Sequence, residues 1–209
     1  MILKGSEIAR QIEKGQSPKA IDPLVITPLP DVKAIRESGS ASVDIHLGTW
    51  FRTLRRARIP CMKTSQSESK TGGGQLFTTE HYVPFKESFY LHPRSFALGI
   101  TLEWVRLPKN LAAVVTGKSS WGRRGLIIAT ATGVHPGFSG CLTLEITNLG
   151  EIPVEIKLGY PICQLFIHQV LGKEDDLADK SAFALRRKPI FGAAPTDAIS
   201  SLLCPEEGK

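Results

Sequence analysis

The stretch CLTLEITNL, from Cys141 to Leu149, alternates apolar and polar side chains over most of its length. An alternation with a period of two predicts a β-strand, because successive side chains of a strand point to opposite faces of its sheet. It places Thr143 and Glu145 on one face, and the leucines and isoleucine between and after them on the other. The strand therefore carries a carboxylate on the face opposite its apolar residues.

Seven further short segments with apolar or alternating patterns lie on both sides of this strand, and glycine or proline separates nearly all of them. Many short strands at such spacing, with only one or two helices, predict an all-β barrel or sandwich with mostly antiparallel pairing. The seven segments are Ala41–Phe51, Phe89–Pro93, Phe96–Val105, Leu111–Thr116, Leu126–Thr132, Val154–Leu158 and Ile162–Val170.

The two ends of the chain lack this strand pattern. Residues Lys4 to Lys14 place Ile8 and Ile12 between charged side chains, which predicts a short amphipathic helix with Ser6 as a candidate cap. We predict one β domain over residues 1–172 and a C-terminal arm over residues 173–209. The arm is either a frayed terminus or a mobile segment that closes over a ligand.

Composition restricts the class of protein. The chain has 209 residues, of which 42% are apolar and 22% charged, as in one sizeable soluble domain. No apolar run is long enough to span a bilayer, and charges interrupt the N-terminal segment, unlike a signal peptide. The four cysteines are scattered without a C-x-x-C pair, which favours reduced thiols. We therefore expect a cytoplasmic protein with no membrane partner.

Charge and motifs exclude several functions. The net charge of +6 permits a polyanionic partner, but no basic run with interleaved aromatic residues and no nucleic-acid-binding motif is present, so we expect no nucleic-acid partner. A zinc deaminase needs H-x-E with P-C-x-x-C, and the sequence contains neither. P-loop and α/β-hydrolase motifs are also missing.

One segment concentrates positive charge between two apolar runs. GKSSWGRRGL, from Gly117 to Leu126, holds three cations, two hydroxyls and three glycines, and no carboxylate. A surface hairpin with solvated cations would explain it. A binding turn for a polyphosphate would explain it as well, because backbone N–H groups, hydroxyls and cations together suit an anion with about four negative charges.

Six segments of the chain, in the same order and with similar spacing, resemble the dCTP deaminase branch of the trimeric dUTPase-like superfamily. The resemblance implies a distorted β-barrel or jelly-roll with a short N-terminal helix, assembled as a homotrimer with active sites at subunit interfaces. It also implies deamination of dCTP to dUTP and ammonia without zinc. The segments are SVDIHLGTWFR, ESFYLHP, LEWVRLP, GKSSWGRRGL, HPGFSGCLTLEITNLG and ICQLFI.

The resemblance assigns the central roles to the turn and the strand. By this similarity, Lys118, Ser119 and Ser120 hold phosphates. Glu145 matches the general base that activates water for attack on the cytosine ring. Arg123 matches the arginine that keeps this carboxylate poised, because an isolated buried carboxylate is costly.

Further positions of the nucleotide site follow from the same resemblance. Gln164 matches a glutamine that touches phosphate, and Thr132, His135 and Thr143 are candidate nucleotide-binding residues. Asp44 matches an acidic position that serves either the fold or a hydrated Mg²⁺. The magnesium would be bound through the substrate triphosphate, because this ion prefers phosphate oxygens and water.

The chain departs from the family pattern in three places. His135 stands where the family has aspartate, and the preceding loop is one residue shorter, with Ala129 at a position that is commonly polar. In the arm, Phe183 and Ala182 stand where tyrosine and lysine are expected, and Arg186, Arg187 and Lys188 could compensate in charge. A dUTP pyrophosphatase and a catalytically impaired nucleotide-binding homologue therefore remain as alternatives.

Overall fold

The computed structural model describes residues 1–55, 77–172 and 184–192. Within these ranges all strand pairs are antiparallel, which confirms the prediction of a mainly β fold. The helices are α1 (Gly5–Gly15), α2 (Val32–Glu37) and α3 (Ser119–Gly122). The strands are β1 (Val25–Thr27), β2 (Ser42–Leu54), β3 (Thr78–Tyr82), β4 (Ser88–Leu91), β5 (Phe96–Arg106), β6 (Leu111–Gly117), β7 (Leu126–Ile128), β8 (Gly133–Val134), β9 (Ser139–Asn148), β10 (Val154–Lys157) and β11 (Pro161–Gln169).

Nine of the strands form one sheet that curls back on itself. The main path runs β7-β9-β5-β2-β11-β6-β8, with β1 attached to β5 and β3 to β2, while β4 and β10 form a separate pair. The curl brings the end of β6 against β7, since a Cβ added to Gly117 would lie 3.2 Å from the side chain of Ile128. A larger residue at position 117 would therefore separate the two ends of the sheet.

The core fills the inside of this curl. Leu144 and Ile146 of β9 are fully buried, while Thr143 and Glu145 between them are only partly covered, as the alternation predicts. Helix α1 closes one end with Ile8 and the other apolar residues of its inner face. None of the helices in the described part of the chain has the length and apolar content that crossing a membrane requires.

The structure corrects the sequence prediction at three points. The strand predicted over Leu126–Thr132 ends at Ile128, because a side chain takes over the next hydrogen bond of the ladder. Helix α1 begins after Lys4, which makes no side-chain capping bond, so Ser6 is not the cap. A second short helix, α2, begins after Asp31, whose carboxylate accepts a hydrogen bond from the Ala34 N–H.

Candidate nucleotide site

The basic turn after β6 is held by a carboxylate from a distant strand. The Nζ atom of Lys118 lies 2.6 Å from both carboxylate oxygens of Asp44 in β2. Lys118 then leads into α3, whose short helical turn places Ser119 and Ser120 at an exposed position. The turn itself contains no carboxylate, but Lys118 is paired with one from another strand.

Polar side chains of three neighbouring strands continue from this ion pair. Gln164 of β11 lies opposite Asp44 of β2 on one side and Thr116 of β6 on the other. Directly opposed residues share a face of the sheet, so these side chains stand together. Gln164 Oε1 accepts a hydrogen bond from Ser42 Oγ at 3.3 Å, whereas the buried Thr116 Oγ1 has no protein partner among the described residues. Together, the side chains of Asp44, Gln164 and Thr116 can supply both hydrogen-bond donors and acceptors to a ligand.

The two serines and the arginine of the turn keep their hydrogen-bonding capacity. In the described part of the chain, the hydroxyls of Ser119 and Ser120 have no partner. The Ser120 carbonyl accepts a hydrogen bond from the Arg124 guanidinium at 2.6 Å, which holds Arg124 against the turn. The side chain of Arg123 is exposed and forms no ion pair with any described residue.

Glu145 stands in a row of side chains that crosses four strands. In register it lies opposite Leu98 of β5, which lies opposite Arg52 of β2, which lies opposite Glu80 of β3. Two strand spacings, about 10 Å, separate Glu145 from Arg52. Within the described residues the Glu145 carboxylate has no hydrogen bond and no ion pair. The structure therefore does not join Arg123 to Glu145 within one chain, and their pairing stays a prediction.

Residues 184–192 of the arm lie against the same face of the sheet. Arg52 Nε donates to the Pro189 carbonyl at 3.0 Å, and Lys188 Nζ lies 2.9 Å from Glu80 Oε1. The same ammonium lies 3.4 Å from the ring centroid of Trp50, a cation–π contact. Phe183 and Ala182 lie outside the described residues, but Lys188 has a defined position over β2 and β3.

The remaining predicted residues lie on the loop after β7, just after β8 and on β9. The Ala129 N–H donates to the Glu145 carbonyl at 2.8 Å, and the Glu145 N–H donates to the Thr130 hydroxyl at 2.9 Å. The Thr132 carbonyl accepts from the Val115 N–H at 2.8 Å, which ties the loop to β6 as well. His135 is exposed, and Thr143 shares the face of Glu145. The structure thus joins the loop to the backbone of Glu145.

A hydrogen-bonded contact between a buried glutamate and a histidine next to this region was not predicted. Glu103, which is 5% exposed, accepts from the His46 N–H at 2.9 Å and lies 2.5 Å from His46 Nδ1.

Burial, with a smaller contribution from the Glu103 charge, raises the pKa of Cys163 to about 12. Burial also raises the pKa of Cys141, against the opposing charge of Arg187. Both thiols are therefore protonated at neutral pH.

An open cleft of about 680 Å³ lies beside the turn. It combines cationic side chains with two aromatic rings, which suits a ligand with a flat face and negative charge. Sequence reasoning missed it, because residues from three separate segments meet there. Its lining includes Lys118, Ser120, Trp121, Arg124, Lys157 and Tyr160.

The chain is similar to a family and to individual proteins that act on deoxynucleotides. The model of the family described as dCTP deaminase-like matches residues 2–170. A dCTP deaminase of Halorubrum lacusprofundi is 39% identical over 171 residues, which cover 81% of this chain and 78% of that protein. A protein of Halobacterium salinarum named dCTP deaminase, dUMP-forming, is 36% identical over 176 residues, covering 84% of each.

A solved structure has the same fold. The 2'-deoxycytidine 5'-triphosphate deaminase from Agrobacterium tumefaciens superposes with a TM-score of 0.56 at 21% sequence identity. The superposition covers 79% of this chain and 46% of that chain, so the present chain spans less than half of the longer protein. At this identity the likeness establishes the fold of the β domain.

Proposed function

The chain belongs to the dCTP deaminase-like family, and on that premise we propose that it hydrolyses dCTP to dUTP and ammonia in pyrimidine deoxynucleotide metabolism. The observation that carries the proposal is that the Ser119 and Ser120 hydroxyls, the Arg123 guanidinium and the Glu145 carboxylate have no partner among the described residues, while the turn and the strand of Glu145 both border β7. Ile128 touches Gly117 at the start of the turn and pairs with Ile146, the neighbour of Glu145. In the homotrimer that the family implies, a nucleotide held by the turn of one protomer would present its base to the carboxylate of the next.

Glu145 has the position that a general base requires. It is carried on β9, between β7 and β5, and is only partly covered, and the described residues leave its oxygens free of other partners. In the proposed reaction, water adds across the N3–C4 bond of cytosine, and Glu145 carries one water proton to N3. Glu145 then transfers the remaining hydroxyl proton to the amino group, which leaves as ammonia when the C4–N bond breaks.

The partner of Glu145 would come from another copy of the chain. Arg123 and Glu145 both lack an ion-pair partner among the described residues, and Arg123 is exposed. In a homotrimer with sites between subunits, the arginine of one protomer would reach the carboxylate of the next. Opposite charge at short distance favours the ionised form of a carboxylate, which a general base needs.

Phosphate binding would involve the turn and the polar group beside it. Lys118 supplies a point charge, Ser119 and Ser120 supply hydroxyl donors, and Gln164 lies one strand away. Mg²⁺ would be held mainly by the triphosphate oxygens and water, as this hard cation prefers. Asp44 fits such an ion in chemistry, since it brings a carboxylate to the same group.

One observation favours a second product. The Halobacterium relative is named dUMP-forming, and its similarity to this chain extends over 84% of each protein. A dUMP-forming enzyme would release pyrophosphate together with ammonia from the same nucleotide. This alternative uses the same fold and the same basic turn.

A product assay tests the proposal. Purified protein with Mg²⁺ is incubated separately with each deoxynucleoside triphosphate, and the products are separated by chromatography. The proposal predicts ammonia and dUTP from dCTP; dUMP with pyrophosphate would favour the second product. Pyrophosphate from dUTP without ammonia from dCTP would indicate a dUTP pyrophosphatase. Binding without any product would indicate a catalytically impaired homologue.

A further inference from the structure

Asn148, the last residue of β9, is fully buried, which sets it apart from the other polar residues that the structure describes. It lies three positions after Glu145 on the same strand. Its Nδ2 atom donates to the Leu91 carbonyl at 2.9 Å and to the Ile152 carbonyl at 2.8 Å. Its Oδ1 atom accepts from the Gly150 N–H at 2.8 Å. The amide thus has the partners that a buried polar group requires, and it fixes the turn after β9.

The segment that Asn148 fixes contacts the C-terminal end of the basic turn. The Leu149 N–H donates to the Gly125 carbonyl at 2.8 Å. Gly125 has a φ of +81°, and a Cβ atom added to it would lie only 2.9 Å from the backbone nitrogen of Gly150. Glycine is the residue that permits both this conformation and this close approach. Gly125 therefore packs directly against the backbone that the Asn148 amide holds in place.

The N-terminal end of the basic turn has a different support. Trp121, which directly follows Ser119 and Ser120, donates from its indole Nε1 to the Pro161 carbonyl at 2.9 Å. Pro161 is the first residue of β11, so the part of the turn with the two serines is held by that strand. The two ends of the basic turn are thus attached to different parts of the sheet, through different side chains.

We infer that Asn148 is a positioning residue for Arg123: it fixes the backbone against which Gly125, two residues later in the turn, is packed. This inference rests on the proposed deamination, in which Arg123 of one protomer poises Glu145 of the next. A displacement of about 1 Å in a catalytic group can cost roughly 100-fold in rate. Asn148 therefore acts on the chemical step without touching the substrate, whereas Trp121 acts on phosphate binding.

The test separates turnover from binding. Ammonia release from dCTP gives kcat, and titration calorimetry in a Glu145→Gln background, in which dCTP is not consumed, gives Kd. Asn148→Ala should lower kcat roughly 10- to 100-fold and change Kd by less than about threefold. Trp121→Phe should show the opposite pattern, with Kd raised roughly 3- to 10-fold, the range of one hydrogen bond between uncharged groups, and a smaller effect on kcat. Asn110→Ala makes the same change at an exposed asparagine and should alter neither quantity.

A milder variant tests the same contact if Asn148→Ala does not fold. In Gly150→Ala the added Cβ atom would lie 3.1 Å from Asn148 Oδ1, so the amide has to shift slightly while all its hydrogen-bonding groups remain. We expect kcat to fall roughly 3- to 10-fold, with Kd unchanged, because the displacement of the turn is smaller.

A merely structural role of Asn148 predicts a different result. Equal losses in kcat and in affinity, or a lower melting temperature with unchanged kcat, would show that Asn148 only supports the fold, and the inference would be wrong. Wild-type protein that releases ammonia from dCTP, with unchanged kcat in both Asn148→Ala and Gly150→Ala, overturns the inference alone. Wild-type protein that releases no ammonia from dCTP overturns the proposed function, and the inference with it.

Discussion

The ammonium group of Lys118, just after β6, lies 2.6 Å from both carboxylate oxygens of Asp44 in β2, although the two residues are 74 positions apart in sequence. A triphosphate that approaches Lys118 must therefore compete with Asp44 or share the lysine with it. Because 46% of the Asp44 side chain and 26% of the Lys118 side chain are exposed, the pair is accessible to such a ligand.

Asp44→Asn should tighten dCTP binding, because it removes a negative charge from the phosphate site and releases Lys118. We expect the free energy of unfolding to fall by no more than about 1 kcal/mol, as for other exposed ion pairs. Titration calorimetry at fixed Mg²⁺ measures the affinity. Lys118→Met is the matched variant and should weaken binding. Weaker binding by Asp44→Asn, restored at high Mg²⁺, would show instead that Asp44 binds the metal.

Glu145→Gln should keep dCTP affinity within roughly tenfold and abolish ammonia release, because the amide keeps the shape but cannot accept the water proton. Arg123→Ala should also be inactive. If the site is shared between protomers, mixing the two variants under subunit exchange would give about one site in four with both native groups. Recovery of activity on mixing supports a shared site, and its absence places both groups in one protomer.

Acid should loosen the arm at Glu80. A hydrogen bond from Lys188 holds the pKa of Glu80 below its ordinary value of 4.5, although burial acts in the opposite direction. A lowered pKa means that the contribution of this contact is complete above 4.5 and is lost as pH falls through the lowered value. Hydrogen exchange of the peptide 184–192 should therefore rise as the pH is lowered from 7 to below the lowered pKa of Glu80, after correction for intrinsic rates. Glu80→Gln should show the faster exchange already at pH 7.

Glu103→Gln should destabilise the fold by about 1–3 kcal/mol, because the buried carboxylate accepts from both the N–H and the ring of His46. Urea unfolding followed by circular dichroism measures the difference. Glu37→Gln, on the exposed side of α2, is the control and should change stability little. Equal stability of the two variants would contradict the role given to Glu103.

Cys141 and Cys163 should resist alkylation in the folded protein at pH 8. Burial raises the pKa of both thiols, in Cys163 to about 12, and the thiolate is the reactive form. Iodoacetamide labelling mapped by mass spectrometry should show both residues modified much more slowly than in denaturant. Rapid labelling of Cys163 under native conditions would contradict its burial.

The sequence predicts those parts of the fold in which a pattern is local. All eight predicted segments contain strands, because their apolar residues recur on the side that faces the core, as Leu144 and Ile146 do in β9. The strands β1 and β8 have only three and two residues, too few for an alternation to be recognised. Their positions follow from pairing with distant strands.

In the candidate site, too, local motifs are predictable from the sequence and contacts between distant strands are not. The basic turn and Glu145 are visible as motifs, because their chemistry differs from that of the surrounding apolar runs. The Lys118–Asp44 and His46–Glu103 contacts are not visible, because each joins strands that only the folded sheet brings together. Thr130 illustrates a third case, since its hydroxyl matters through a backbone bond that no residue pattern encodes.

The docked segment 184–192 has a practical consequence for anyone who shortens the protein. It covers the ring of Trp50 with Lys188 and the ring of Trp104 with Arg187, and it satisfies the Cys141 N–H on the edge of β9. A truncated form ending before residue 184 would expose two indole rings and an open strand edge, a combination that promotes self-association. Truncated forms intended for crystallisation should therefore end after Gly192.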